Sequence, residues 1–270
     1  MNIDKENMNT VSIIGLGWLG LPLAHHLKAQ GWKVTGTKRT SLAVQKIQEE
    51  DKIDCFQLDL SLLCIPSEIL NSQRMIINIP PSRSEDNYVE GIKRLVSLGI
   101  LQHLKHVIFV SSTSVFPNIQ GMFDEESQTE ITSPTTQKLI EVEQWLLTLD
   151  IHCDILRLGG LIGKNRHPIH YLSGKSNLSG ANQPVNLVHL NDCIRAIQLL
   201  LETPQKQRIY HLCSPLHPTR AEYYGEIAKQ LQLPPPHFLA DNQPMKRIIV
   251  ANKICQQLGF KYQYADIFKV

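Results

Sequence analysis

Three glycines, Gly15, Gly17 and Gly20, stand between an apolar run and an amphipathic one in SIIGLGWLGLPLAHHLKAQGWKVTGTKRT, residues 12–40. The spacing is G-x-G-x-x-G, and it follows the β-branched run VSIIG (11–15) directly. Behind it Trp18, Leu19, Leu21, Leu23, Ala24 and Leu27 recur at helical spacing, and Gly31 closes the helix. A strand, a glycine turn and a helix in that order form a cradle for a pyrophosphate. The first glycine permits the tight turn, the second lets the phosphates approach the backbone, and the third lets helix and strand pack closely. The positive end of the helix then faces the anion. The spacing therefore predicts a dinucleotide site; the plainer reading is a glycine turn kept for packing.

The rest of the chain agrees with such a fold. Further strands are expected at 33–37, 55–60, 74–79, 106–111, 152–158 and 208–212. Helices are expected at 18–30, 41–49, 87–104 with a break at Gly99, 133–147, 191–201, 219–231 and 252–258. Residues 117–132 and 159–184 read as loops. Strands alternating with helices predict an α/β fold: a doubly wound parallel (Rossmann) sheet with a smaller, irregular C-terminal substrate-binding part. The expected division is a flexible tail (1–10), a dinucleotide-binding domain (11–165) and a substrate-side region packed on it (166–270).

Composition excludes several classes. The net charge of +2 over 270 residues, without a Lys/Arg block, leaves no footprint for nucleic acid or an acidic membrane. No apolar run approaches the roughly 20 residues of a membrane span, and the polar start lacks a signal-peptide core. The six cysteines are scattered with no C-x-x-C pair, so no metal site and a reduced, cytoplasmic protein are expected. The end of the second strand reads VTGTKRT, with Lys38 and Arg39 and no carboxylate to hold ribose hydroxyls. A guanidinium there suits a 2′-phosphate, which favours NADP over NAD.

From about Thr10 to Leu201 the chain resembles the extended short-chain dehydrogenase/reductase superfamily, in its atypical NAD-dependent epimerase/dehydratase branch. The resemblance rests on GLGWLG, VTGTKRT, QLDL, HVIFVSSTSVF, LRLGGLIG and VNLVHLNDCIRAI in the right order. It implies that the backbone at Trp18 and Leu19 touches the pyrophosphate and that Arg39 and Thr40 hold the 2′-phosphate. It implies that Asp59 and Leu60 border the adenine and that Asn78, Ile79 and Pro80 lie beside the nicotinamide ribose. Ser111 and Ser112 end the fifth strand, with Ser112 at the place of the catalytic Ser/Thr. Leu158, Gly159 and Gly160 would pass the nicotinamide carboxamide. A homodimer through helices 87–104 and 133–147 also follows by analogy.

The departure lies in the helix after the fifth strand. The family places Y-x-x-x-K there; this chain has SPTTQKLIEVEQWL, with no tyrosine between Phe116 and Leu158. Aligned through Glu143, Thr135 and Leu139 take the two positions; aligned through Lys138, Pro134 replaces the tyrosine. Lys138 either reaches the ribose or is an exposed helix lysine. Ser112 either orients a carbonyl or merely ends a strand. On the substrate side, Arg166 could bind a phosphate or carboxylate and His189 could act as a base; a solvated loop and a packed histidine are the alternatives. Asp192 reads as a helix cap or a charge at the first helical position, and Tyr171 and Tyr210 are other sources of a phenol. The expected partner is a small-molecule substrate, with no nucleic acid and no membrane. The leading expectation is an NADP-dependent oxidoreductase or epimerase-like protein acting on a small polar, sugar-derived metabolite. A non-catalytic NADPH-binding sensor or scaffold, and a β-hydroxyacid dehydrogenase, are the alternatives.

Overall fold

The structure, a computed structural model, describes residues 9–82, 87–240 and 246–269. Residues 1–8 of the expected tail lie outside the described residues, and the first strand, β1, already begins at Thr10 (Thr10–Ile14). A seven-stranded sheet is built from β1, β2 (Lys33–Lys38), β3 (Asp54–Gln57), β4 (Arg74–Ile77), β5 (His106–Ser112), β7 (His152–Leu158) and β10 (Arg208–Leu212). The order is β10-β7-β5-β4-β1-β2-β3, and the pairs β1–β2, β1–β4, β2–β3 and β4–β5 are parallel. All five residues of β1 are buried, as a central parallel strand covered on both faces requires. The chain runs β1 to β3 on one side and resumes with β4 on the other. The crevice beyond the ends of β1 and β4 is therefore the topological switch point where such sheets take ligands.

The longer helices follow the sequence signals, whereas the short ones at Ser67–Leu70 and Ile169–Leu172 were not expected. Those that bear on the site are α1 (Gly20–Ala29), α2 (Ser41–Lys46), α3 (Ser67–Leu70), α4 (Tyr88–Gln102) and α5 (Pro134–Leu146). In α4 the buried stripe Tyr88, Ile92, Leu95, Val96 and Gly99 faces inward at helical spacing. The expected break at Gly99 does not occur. A Cβ there would meet the Leu104 side chain at 3.0 Å, so this glycine makes room for a neighbour and the helix continues. The Ser133 hydroxyl caps α5 by accepting the Thr136 N–H at 3.1 Å, with Pro134 in the first turn.

The chain divides into two compact, discontinuous units. One comprises Met1–Val115, Ile131–Leu156 and Ala196–Ile209; the other comprises Phe116–Glu130, Arg157–Arg195 and Tyr210–Val270. In the first, Asp154 is wholly buried and accepts from His106 at 2.7 Å and from Arg208 at 2.5 and 2.8 Å. The second carries two short parallel pairs that the sequence did not announce. These are β6 (Gly121–Phe123) with β11 (Arg247–Ile249), and β8 (Gly160–Ile162) with β9 (Leu187–His189). Its helices are α6 (Ile169–Leu172), the start of α7 (Leu190–Glu202), α8 (Arg220–Gln230) and α9 (Lys253–Leu258). A capping box between Thr219 and Glu222 starts α8. Asp192 lies inside the first turn of α7 and does not cap it: its buried carboxylate accepts the N–H groups of Gln263 (2.7 Å) and Tyr264 (3.0 Å), clamping the C-terminal loop.

Candidate functional site

The glycine loop is fixed from three sides. The Gly15 N–H donates to the Thr37 hydroxyl at 3.0 Å, and the Leu16 N–H donates to the Thr37 carbonyl at 2.9 Å. Gly36 clears the way, because a Cβ there would collide with the Leu16 side chain. Gly15 has φ +103° and a hypothetical Cβ 2.8 Å from the Asn78 carbonyl, so no other residue fits that turn. A Cβ on Gly20 would overlap the Gly15 carbonyl, which is the close helix–strand packing expected of the third glycine. Gly17 differs from both. A Cβ there would meet no atom within 4 Å among the described residues. Packing thus accounts for the first and third glycines and not for the second.

The open side of Gly17 faces a cavity of about 640 Å³, within the size range of small-molecule sites. Four strand ends and one helix start line it. Gly15, Leu16 and Gly17 come from the loop, and Lys38 and Arg39 from the end of β2. Leu58, Asp59, Leu60 and Ser61 follow β3; Asn78, Ile79, Pro80 and Ser82 follow β4; Asn87 and Tyr88 open α4. Helix α1 has no side-chain cap and no acidic residue in its first turn, so nothing there cancels its positive end.

Most of the residues expected around the adenosine half meet at this cavity. Gly20 supports the loop from behind. Trp18, Leu19 and Thr40 are not among the lining residues, and the Thr40 hydroxyl caps α2, accepting the Ala43 N–H at 3.4 Å. Arg39 Nε donates to Asp59 Oδ2 at 3.3 Å. Asp59 Oδ1 accepts the Ser61 hydroxyl (2.7 Å) and the Ser61 N–H (2.9 Å). These two bonds, with Arg39 adding to them, hold its carboxyl below the usual range.

Sequence reasoning missed the braces behind these residues. Arg94 of α4 donates to the carbonyls of Leu60 (2.8 Å) and Leu62 (2.6 Å), and Gly91 lets α4 lie against Leu60. Tyr88 donates to the Ile79 carbonyl at 2.8 Å. A glycine inside a strand, such as Gly36, is a readable signal of close approach; the arginine and tyrosine bonds to distant carbonyls have none.

At the end of β5, Ser111 donates to buried Glu143 of α5 at 2.5 Å, and the Ser112 hydroxyl accepts the Ser114 N–H at 3.1 Å. Lys138 Nζ donates to the Ser82 carbonyl at 3.0 Å, on the segment that walls the cavity. Leu139, one of the two positions aligned with the family lysine, is buried.

In the second unit, Leu158 is buried. Gly159 and Gly160 are shaped by their own neighbours: a Cβ on Gly159 would lie 2.9 Å from the Asn186 carbonyl, and one on Gly160 would lie 2.8 Å from Leu187. Arg166 is exposed in a tight turn with Gly163. His189 stacks on Tyr264 with ring centroids 3.6 Å apart and accepts the Asn191 N–H, and burial lowers its pKa against the pull of Asp192. Tyr210 is buried and donates to Gln257, whereas Tyr171 is exposed. No group of three or more metal-ligating side chains occurs among the described residues, and no helix there is long and apolar enough to cross a membrane.

Comparison with known proteins places this architecture. The chain is 39% identical to protein YeeZ of Escherichia coli (strain K12) over 269 residues, covering 96% of this chain and 97% of that protein. The chain belongs to the YeeZ family. Residues 10–131 also match the model described as the NAD binding domain of 6-phosphogluconate dehydrogenase. Two solved structures share the fold from end to end. A functionally unknown conserved protein from Silicibacter pomeroyi DSS has a TM-score of 0.81 at 19% identity, covering 97% of this chain and 96% of that one. The UDP-glucuronic acid 4-epimerase from Bacillus cereus, in complex with NAD, has a TM-score of 0.80 at 16% identity, covering 96% of both. The fold is therefore shared from end to end with these structures, and residues 10–131 are similar to an NAD binding domain.

Proposed function

We propose that this protein binds NADP in the cavity beside Gly17 and is an oxidoreductase or epimerase/dehydratase-like enzyme acting on a small polar, sugar-derived metabolite. The observation that carries the reading is the open space at Gly17, in a loop whose other glycines are explained by packing. The residues fit the group. The loop offers backbone at the positive end of α1, and Lys38 and Arg39 put cationic side chains at the end of β2, where NAD-binding sheets carry a carboxylate. Bound NADP would supply hydride transfer.

The chain's own groups would do the rest. Ser112 accepts from Ser114, and its hydroxyl can still donate to a substrate carbonyl. Lys138 secures the wall at Ser82. Arg166 is exposed and suited to a phosphate or carboxylate on the substrate. The scattered free cysteines fit a reduced cytoplasm, and α4 and α5 offer the surface for a homodimer by analogy.

A second reading, an NADPH-binding sensor or scaffold, draws support from Leu139: an apolar buried side chain cannot hold a ribose or tune a phenol. The match to the 6-phosphogluconate dehydrogenase domain favours a β-hydroxyacid dehydrogenase over residues 10–131. That class needs a long all-helical second domain, whereas the second unit contains β6, β8, β9 and β11. Calorimetric titration with NADPH and NADH in parallel tests the cofactor. Oxidation of NADPH by a panel of small carbonyl compounds then separates enzyme from sensor, since steady turnover with any of them excludes the sensor. Binding of neither cofactor would overturn the proposal.

A further inference from the structure

We propose that Asp59 is a positioning residue that aims the Arg39 guanidinium at the 2′-phosphate of NADP and so sets the choice between the two cofactors; this rests on the cofactor reading above. Arg39 is a long side chain, 63% exposed, and its rotamer freedom opposes being held in one geometry. It is nevertheless tied at both ends. Gln57 Nε2 donates to its carbonyl at 3.1 Å, and its Nε donates to Asp59 Oδ2 at 3.3 Å.

Asp59 is itself a fixed anchor. Its two oxygens divide the work: Oδ1 takes both bonds from Ser61, and Oδ2 faces Arg39. The segment beneath is braced by Arg94 on the Leu60 and Leu62 carbonyls and by the contact at Gly91. Arg39 and Asp59 both line the cavity. A carboxylate beside a site for an extra phosphate is unfavourable by charge alone. Its place there is explained if orienting the guanidinium outweighs the repulsion. The family resemblance has Asp59 border the adenine, which would serve NAD and NADP alike; the bond to Arg39 concerns only the cofactor that carries the phosphate.

The sign of one substitution separates these roles. Asp59→Asn keeps the size and removes the charge. If Asp59 acts only as a nearby negative charge, NADPH should bind more tightly. If it positions Arg39, NADPH should bind roughly 3–5-fold more weakly, the scale of an exposed ion pair, with NADH within about twofold of wild type. In an Arg39→Ala background the same change should leave NADPH binding unchanged or tighten it, because only repulsion remains. Calorimetry with NADPH and NADH on the wild type, both single variants and the double variant gives all the terms, and thermal melting checks folding. Equal losses for both cofactors in Asp59→Asn, or a gain for NADPH, would overturn the proposal and leave the NADP reading standing, provided Arg39→Ala still loses NADPH selectively. Arg39→Ala that treats both cofactors alike would overturn both.

Discussion

Replacing Gly17 with alanine separates a glycine kept for a ligand from one kept for packing. The added methyl meets no atom within 4 Å, and Gly17 lies outside the left-handed region of φ. Folding stability should therefore stay within about 1 kcal/mol of wild type, on the favourable side, since alanine restricts the unfolded chain. Gly20→Ala is the contrast. Its methyl would overlap the Gly15 carbonyl, and both partners are backbone. The strain of such overpacking is about 1–3 kcal/mol, or several degrees of melting temperature at roughly 2–4 °C per kcal/mol. Binding should respond in reverse. A methyl at Gly17 occupies the approach of the pyrophosphate and forfeits at least one charge-assisted bond from the backbone, about 1.5–3 kcal/mol. NADPH affinity should fall about 10–100-fold. Melting curves with and without NADPH, followed by calorimetry, measure both effects. A Gly17→Ala protein that binds NADPH as the wild type does would refute the assignment of the loop. One that melts as low as Gly20→Ala would refute the open space itself.

Arg39→Ala should weaken NADPH by about tenfold or more and NADH little, because one guanidinium–phosphate contact is at stake; parallel calorimetry decides, and equal losses count against NADP. Acid should destabilise the second unit. His167 accepts the Ile169 N–H, and burial, with His170 adding to it, lowers its pKa to about 4; burial likewise lowers His211 to about 4. The unfolded chain takes up these protons first, so stability complete above pH 6.5 is lost as pH falls toward 4, by about 2 kcal/mol per histidine at pH 5. Urea unfolding at pH 7 and pH 5 measures the difference, and identical midpoints would contradict it. Asp192→Ala should cost about 2–4 kcal/mol, since it strips the Gln263 and Tyr264 N–H groups of their buried acceptor; a melting temperature within a degree of wild type would show that the clamp carries no weight.

How much was legible can be judged residue by residue. The order of the seven sheet strands and the long helices was, because each central strand is a short apolar run, the long helices carry apolar stripes, and α5 and α8 have capping residues. Strand ends were less so: β3 stops at Gln57 and β4 at Ile77, short of the expected Leu60 and Ile79, because the chain turns there to line the cavity. Gly99 misled because a packing glycine and a helix-breaking one look alike in one dimension. The pairs β6–β11 and β8–β9 were hidden, since each strand has three residues and a partner far away in sequence. At the site, the glycine loop and the Lys38-Arg39 pair could be read because their chemistry is local. Thr37, Tyr88, Gly91 and Arg94 could not, because their roles depend on carbonyls and amides brought near by folding.

The interleaving of the two units bears on how the chain is made. Neither unit is a continuous stretch, so no single cut yields either one as a fragment. On the ribosome, β7 emerges well before β10, its neighbour in the sheet. The roughly 60 residues from His152 to Leu212 take on the order of 3–12 s to synthesise at ordinary elongation rates. For that interval one edge of β7 has no partner, and Asp154 awaits Arg208, the cation that completes its burial. A carboxylate held in waiting on an open strand discourages foreign strands from pairing there, so the same group that closes the finished sheet guards the unfinished one.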